Sequence, residues 1–487
     1  MEIGLIGPSY TAKSNVIDDE ELINMYPESI ASPGAQTRWS YLSTPGLLTF
    51  CALPEGPTRG SIWTGQRAFV AADTSLYEIM QDGTFVNRME GVLDTFGAPV
   101  SMAFSTIELM VVAGGRAWCY NLGTNTYLEV TPQLAGPPLQ VQYGDGFFIV
   151  SIQGSNKFQI SSPLDGTTWP GLQVNEVSVF PENITAMLCI HRELWIFGSQ
   201  HVQPYQDTGS DEIYDVIPGA LMETGNGPSF APCIVDNSIF WVSEDIRGAR
   251  ECWRANGYSP LRISNYAVEA YLGNLPSISG LVSYSYQDSG HLFWVLYIPN
   301  TDCTWVYDVA EQVWHKRAEW HQDIASWTPH RSWNHIWAFG KHLVGDWQTG
   351  NVNQMKQPVN NNDGTYSFVT DNGELIRRYR RSPTIAKEMQ WIYHKQLVID
   401  FATGLGPQPP LTDGDGNPRA PQAILRWSDD RGSTWSNQHV RECGFAGQYK
   451  TRVLWLRLGR SRYRVYEISM TDPIPWTIVS GYLEVSE

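Results

Sequence analysis

The sequence predicts an all-β protein with a propeller-like body of about seven blades, an extended N-terminal arm and a C-terminal β-sandwich-like domain. Three observations lead there. Aromatic residues make up 12% of the 487 residues, with 20 Trp beside 43 Gly and 30 Pro; rings suit pleated, half-buried strands, and Gly and Pro mark frequent turns. Short apolar runs recur at a near-constant interval through the middle of the chain. Beyond residue 396 the spacing tightens into a cluster of short strand candidates.

Residues 1–57 open the chain. "INMYPESIASPGAQTRWSYLSTPGL" mixes Pro, Gly and Ser with isolated aromatics, and reads as an arm that packs on something rather than a domain of its own. The body spans 58–355. Its apolar centres are Phe69, Leu109, Phe147, Leu194, Ile239, Leu292 and Ile336, separated by 40, 38, 47, 45, 53 and 44 residues. A unit of that length holding several strands is the signature of a propeller blade, and seven units fill one ring. A four-stranded sheet cannot bury both faces alone, so radial stacking supplies the missing cover. A double β-sandwich is the competing architecture. Residues 356–395 are polar and turn-rich at first, then basic, and read as a connector. Residues 396–487 hold "LVIDF", "AILRWS", "RVLWLRL", "RVYEISM" and "TIVSGYLEV", separated by Gly, Pro and Asp turns, the pattern of a small sandwich.

The net charge is −17, from 33 basic and 50 acidic residues. Such a surface on average repels nucleic acid and anionic membranes. The charge is uneven, because the C-terminal quarter carries clusters of Arg. The seven Cys are scattered, odd in number and free of CxxC spacing, which predicts free buried thiols rather than a disulfide framework or a zinc site. No basic segment followed by an apolar one opens the chain, and no apolar run is long enough to span a bilayer, so the expectation is a protein made in the cytoplasm with no membrane partner.

"LRWSDDRGSTW", residues 425–435, contains an Asp-box: Ser428, Asp430, Gly432, Thr434 and Trp435. Its mechanics are those of a turn. The Asp accepts hydrogen bonds from turn amides, the Gly permits positive φ and the Trp packs the hairpin down. It is therefore read as structural. Glycoside hydrolysis needs two facing carboxylates, and Glu182, Glu244-Asp245 and Asp429-Asp430 all lie in turn-like contexts that mark no pair. His315, His321, His330, His335 and His342 cluster in sequence, but period-2 alternation sets His330 and His335 on opposite strand faces, so packing and exposed tips are expected rather than a metal. Asp413, Asp415 and Asn417 resemble the start of a calcium loop, without the later Glu and with Pro418 intervening; an exposed turn is expected. No cofactor is predicted. Two basic stretches remain. Arg377, Arg378, Arg380 and Arg381 surround Tyr379, and Arg460, Arg462 and Arg464 alternate, so that on one strand they share a face. That face is either solvated or a contact for another subunit, since Arg is favoured at interfaces.

The C-terminal run "ILRWSDDRGSTWSN…GQYKTRVLWLRLGRSRYRVYEISMTDPI" closely resembles the end of the phage stabilisation protein family, the tail-hub or packaged-DNA stabilisation proteins of short-tailed bacteriophages. "INMYPE" followed by "YLSTPGL" resembles the opening of that family, and "RRYRRSPTIAKEMQWIYHKQLVIDFATGLG" the segment before its last domain. Arg431 stands where the family often has Gly. The resemblance implies a non-enzymatic virion protein in the tail below the portal vertex, made in the bacterial host cytoplasm. It implies a ring of copies, commonly a hexamer, beneath the head-to-tail adaptor and portal. That ring would close the DNA channel, retain the genome and anchor a tail needle, tailspikes or fibres, with double-stranded DNA passing without specific binding. The alternative is a sugar-binding or sugar-cleaving tail propeller, a lectin or glycosidase.

Overall fold

The computed structural model describes residues 5, 7–11, 18–30, 39–95, 97–210, 213–361 and 363–486. The stretches 12–17 and 31–38 of the N-terminal arm lie outside the described residues. Within the described chain, four consecutive antiparallel strands form a sheet six times over. The first sheet is Thr58–Trp63, Ala68–Ala72, Ser75–Ile79 and Phe85–Met89. Five more follow within 101–129, 138–176, 186–216, 233–262 and 282–321. The first strands of most neighbouring sheets contact one another and line a common cavity, which places them innermost in a ring.

The seventh blade is composite. Ser332–Ala338, Lys341–Asp346 and Asn351–Lys356 supply three strands, and the fourth is Gly46–Ala52 from the arm, antiparallel with Lys356 opposite Gly46 and Asn351 opposite Ala52. The ring therefore closes by hydrogen bonds between the two ends of its own chain. Phe69, Leu109, Phe147, Leu194, Ile239 and Leu292 all lie on second strands, whereas Ile336 lies on the first strand of its blade, so the last sequence interval is measured to a different strand.

Hydrophobic clusters fill the gaps between blades, as radial stacking requires. Phe69, Leu76, Leu109 and Trp118 pack between the first two. Tyr284, Phe293, Val344 and Met355 pack between the last two, with Tyr26 and Leu47 of the arm among them. The seven cysteines are free, five of them buried.

The C-terminal module packs two sheets around Leu397, Ile399, Leu425, Trp455, Tyr466 and Ile468. One sheet orders Met25–Ser29, Trp39–Ser43, Ile478–Ser486, Ile392–Phe401 and Val453–Leu456. The other orders Asp19–Ile23, Arg378–Arg381, Tyr463–Met470, Gln422–Ser428 and His439–Glu442, and is continuous with the sixth blade, because Asp19–Ile23 also pairs with Val313–His321. The residues read as an arm thus supply strands to both modules, and those read as a connector supply Arg378–Arg381. Side-chain alternation makes this sharing work: Leu22 enters the sandwich core while its neighbour Ile23 enters the propeller core, since successive strand residues face opposite sides.

Candidate functional site on the sandwich rim

The junction is built from charges that meet in register. The acidic run Asp19-Glu20-Glu21 lies antiparallel to the basic run, with Glu21 opposite Arg381 and Leu22 opposite Arg380. Arg381 pairs with Asp19 at 2.6 Å and Arg380 with Glu20 at 2.5 Å, while Arg380 also donates to the Leu5 carbonyl at 2.6 Å. Lys316 of the sixth blade reaches Glu21 at 2.8 Å, and that carboxylate holds the buried ammonium above its usual pKa against desolvation. Buried Glu467 accepts from Tyr379 at 2.8 Å and from Arg426 at 2.8 Å. Arg378 is fully buried, and desolvation pulls it down to about 10. The stretch around Tyr379 is therefore an internal seam rather than a surface.

Asn24 makes the corner between the two sheets. Its φ of 58° is left-handed, a region that Asn tolerates better than most residues. Its Oδ1 accepts from the Ala318 amide at 3.0 Å, and its Nδ2 donates to the carbonyls of Ala318 and Arg377 at 2.8 and 2.9 Å. One side chain so fastens the arm, the sixth blade and the basic strand.

The Asp-box closes as its pattern requires. Ser428 Oγ donates to Asp430 Oδ1 at 2.6 Å and accepts from the Gly432 amide at 2.8 Å. Asp430 also accepts from the Thr434 amide at 2.8 Å and the Thr434 hydroxyl at 2.6 Å. These bonds hold the exposed carboxyl at a pKa of about 2. Gly432 sits at φ 95° and Arg431 at φ 60°, so the residue found where Gly is common adopts the left-handed turn nonetheless, its guanidinium 3.8 Å from the Tyr463 ring. Trp435 is half-buried beneath Arg381 and Arg426, at 4.9 and 5.3 Å.

Arg460, Arg462 and Arg464 do not share a face. Arg464 is 1% exposed, bound to Asp429 at 2.6 and 2.8 Å and to the Leu458 carbonyl at 2.5 Å. It anchors the Asp-box hairpin from below and offers nothing to a partner. The reason is a bend at Arg462. Arg460–Ser461 pairs with Ile392–Tyr393 in one sheet, and Tyr463–Met470 belongs to the other. A chain that changes sheets does not keep its alternation. Arg460 and Arg462 remain exposed, and both guanidiniums lie over Trp391, at 4.8 and 5.1 Å. Around them Met389, Trp391, Tyr393 and Leu456 are 69, 47, 45 and 55% exposed. Among the described residues Arg460, Arg462, Arg457 and Arg452 have no ion-pair partner. Sequence reasoning missed Trp391; its signal was a Trp two residues before an exposed Tyr at the start of a strand.

The other singled-out groups are locally engaged. Glu244 binds Arg250 at 2.6 Å, Glu182 binds His201 at 2.5 Å, and Asp413 accepts from the amides of its own turn at Asp415 and Asn417. His335 meets His342 at 3.0 Å, His321 meets Thr328, and His330 meets Ser332 at 2.6 Å. His315 is buried against Tyr26 and Phe293. Among the described residues no group of three or more His, Cys, Asp or Glu is arranged to hold a metal, and no helix is long and apolar enough to cross a membrane.

The propeller axis holds a cavity of about 240 Å³ lined by residues of the inner strands, among them Gln140, Met187, Ser283 and Asn334. Gln140 crosses it, donating to the Ser229 carbonyl and accepting from the Met187 amide at 2.9 Å. A duplex whose major groove alone is about 12 Å wide has no passage there.

A seven-bladed propeller welded by shared N-terminal strands to a β-sandwich defines a two-module, nearly all-β protein. The chain belongs to the phage stabilisation family. The family's β-propeller, described as bacteriophage P22 Gp10, matches residues 1–360, and the Gp10 β-sandwich matches residues 377–486. Membership places it among the structural proteins of bacteriophage particles. No curated protein matches the sequence. Similar solved chains include the computationally designed Ika8 protein, 11% identical with a TM-score of 0.37, covering 64% of this chain and 99% of that one. PorZ of Porphyromonas gingivalis, a surface component of the type-IX secretion system, is 12% identical with a TM-score of 0.38, covering 72% of this chain and 44% of that one. YCF48 bound to a D1 peptide is 13% identical with a TM-score of 0.40, covering 68% and 97%.

Proposed function

We propose that this protein is the hub of a short phage tail. Copies assemble as a ring, six in number, below the portal and adaptor, close the DNA channel, retain the packaged genome and anchor the tail needle, spikes or fibres. The role is mechanical rather than enzymatic, and the chain is made in the host cytoplasm before it joins the virion. The observation that carries this reading is family membership over both modules. Three features support it. The plugged propeller axis leaves the space between copies as the route for DNA, and the welded junction suits a part that must resist internal pressure. The excess of acidic residues lets a duplex slide past without sticking.

Electron microscopy of particles made with the gene disabled tests the proposal. Tailless heads that have lost their DNA are expected. DNA-filled, complete particles that fail only at host attachment would overturn it in favour of sugar or receptor recognition.

A further inference from the structure

Charge is divided unevenly along the chain. Residues 377–486 carry 16 basic and 10 acidic residues, whereas residues 58–355 carry 14 basic and 29 acidic. The arm strands that complete the sandwich add Asp19, Glu20, Glu21 and Glu28, and Asp19 and Glu20 pair with Arg381 and Arg380, so the module is close to balanced while the propeller is strongly negative. On the sandwich rim Arg460 and Arg462, which have no ion-pair partner among the described residues, stack on exposed Trp391, with Tyr393 opposite Arg460 across the strand pair and Met389 and Leu456 exposed on the adjoining segments. Trp, Tyr, Met and Arg are the residues enriched at the centres of protein interfaces. Two guanidiniums stacked on one indole are held in place before any partner arrives, which reduces the side-chain entropy lost on binding.

We infer that this rim docks on the acidic propeller of a second copy of the chain, as a head-to-tail contact. The occupant follows from charge. A rim-to-rim contact would bring like charges together, whereas rim-to-propeller brings opposite ones, and a contact between unlike surfaces closes into a ring when its rotation permits. The six residues form the centre of the contact; a stable interface covers about 800 Å² per partner, so flanking Arg452 and Arg457 belong to its margin. The inference rests on the hub reading, since it names the surface by which copies would meet.

The test places a photoreactive benzoylphenylalanine at Tyr393, an exposed ring whose replacement leaves the core untouched. Assembled particles are irradiated and the linked peptides sequenced. Cross-links to peptides from residues 58–355 of the same chain are expected. Cross-links to DNA, to another virion protein or to sandwich peptides, or none at all in particles that contain the chain, overturn the inference while leaving the hub reading intact. Absence of the chain from particles removes the hub reading itself. Independently, R460E/R462E should lower the number of copies incorporated by at least tenfold while the purified chain unfolds at the wild-type midpoint; normal incorporation of that variant overturns the surface.

Discussion

Arg464 and Arg460 stand four residues apart and do opposite work. Replacing Arg464 with Ala strips two bonds from Asp429 and one from Leu458, and removes packing from Trp427 and Tyr466; urea unfolding should show a loss of about 2–3 kcal/mol. Arg460→Ala should stay within ~0.5 kcal/mol, as an exposed residue without a hydrogen-bonded partner does. Asn24→Ala loses three hydrogen bonds and a tolerated left-handed corner, so a cost of about 2–4 kcal/mol is expected, with Asn24→Gly recovering only the backbone part. Acid sensitivity also belongs to individual side chains. Burial drives His315 well below its ordinary pKa, His330 down to about 3 and His394 down to about 4. Groups depressed in this way stabilise the fold above their unfolded pKa near 6.5 and lose that contribution as pH falls toward 4. Burial instead raises Asp371 to about 7, which favours the fold below pH 4 and opposes it as pH rises to 7. His335, lowered to about 3, and His342 add to the histidine side, against Asp371 and the raised carboxyls of Asp19 and Glu20, so thermal midpoints should climb from pH 4 to 6.5. Asp371→Asn should steepen that climb, and an unchanged or flatter profile would contradict the assignment. The Asp-box was legible because the hydrogen bonds among Ser428, Asp430, Gly432 and Thr434 all lie within seven residues. The fate of Arg464 was not, because the bend that buries it is set by which sheet each short strand joins.

The strands of the first six blades could be read from their apolar runs because each sheet is contiguous in sequence. Gly46–Ala52 and Asp19–Ile23 could not, because their partners lie hundreds of residues away and nothing local fixes that pairing. The one local trace was charge, an acidic run near the start and a basic run near residue 380, whose signs match across the strand pair. Gly46 shows how tightly the closing strand is fitted. A Cβ there would stand 2.4 Å from the Phe368 carbonyl oxygen and 2.8 Å from that of Thr370. Gly46→Val should therefore push the closing strand off the seventh blade, exposing the edge at Asn351–Lys356. Limited proteolysis should then cut within 39–52 at least ten times faster than in the wild type, and an unchanged digestion pattern would show that the strand seats regardless.

At the scale of the whole molecule, the sixth blade and one sandwich sheet are a single hydrogen-bonded surface. Two modules that share strands and a buried ion-pair seam have no independent boundary at which to separate. Scanning calorimetry should accordingly show one main transition for the full chain, and two well-separated transitions would mean that the seam is weaker than its charges imply. The sequence reading placed a body up to residue 355 and a C-terminal module from residue 396; what it hid was that the strands Asp19–Ile23, Met25–Ser29, Trp39–Ser43 and Gly46–Ala52 are shared out between the two. That arrangement imposes a timetable. The ribosome delivers the closing strand first, yet its partner at Asn351 emerges about 300 residues later, roughly 15–60 s at ~5–20 residues per second. For that interval the nascent chain carries a closing strand without its partner, ahead of an open ring. Completion of the propeller is thus deferred until most of the chain has been synthesised, and this interval is when a neighbouring nascent chain has its best opportunity to capture the wrong edge.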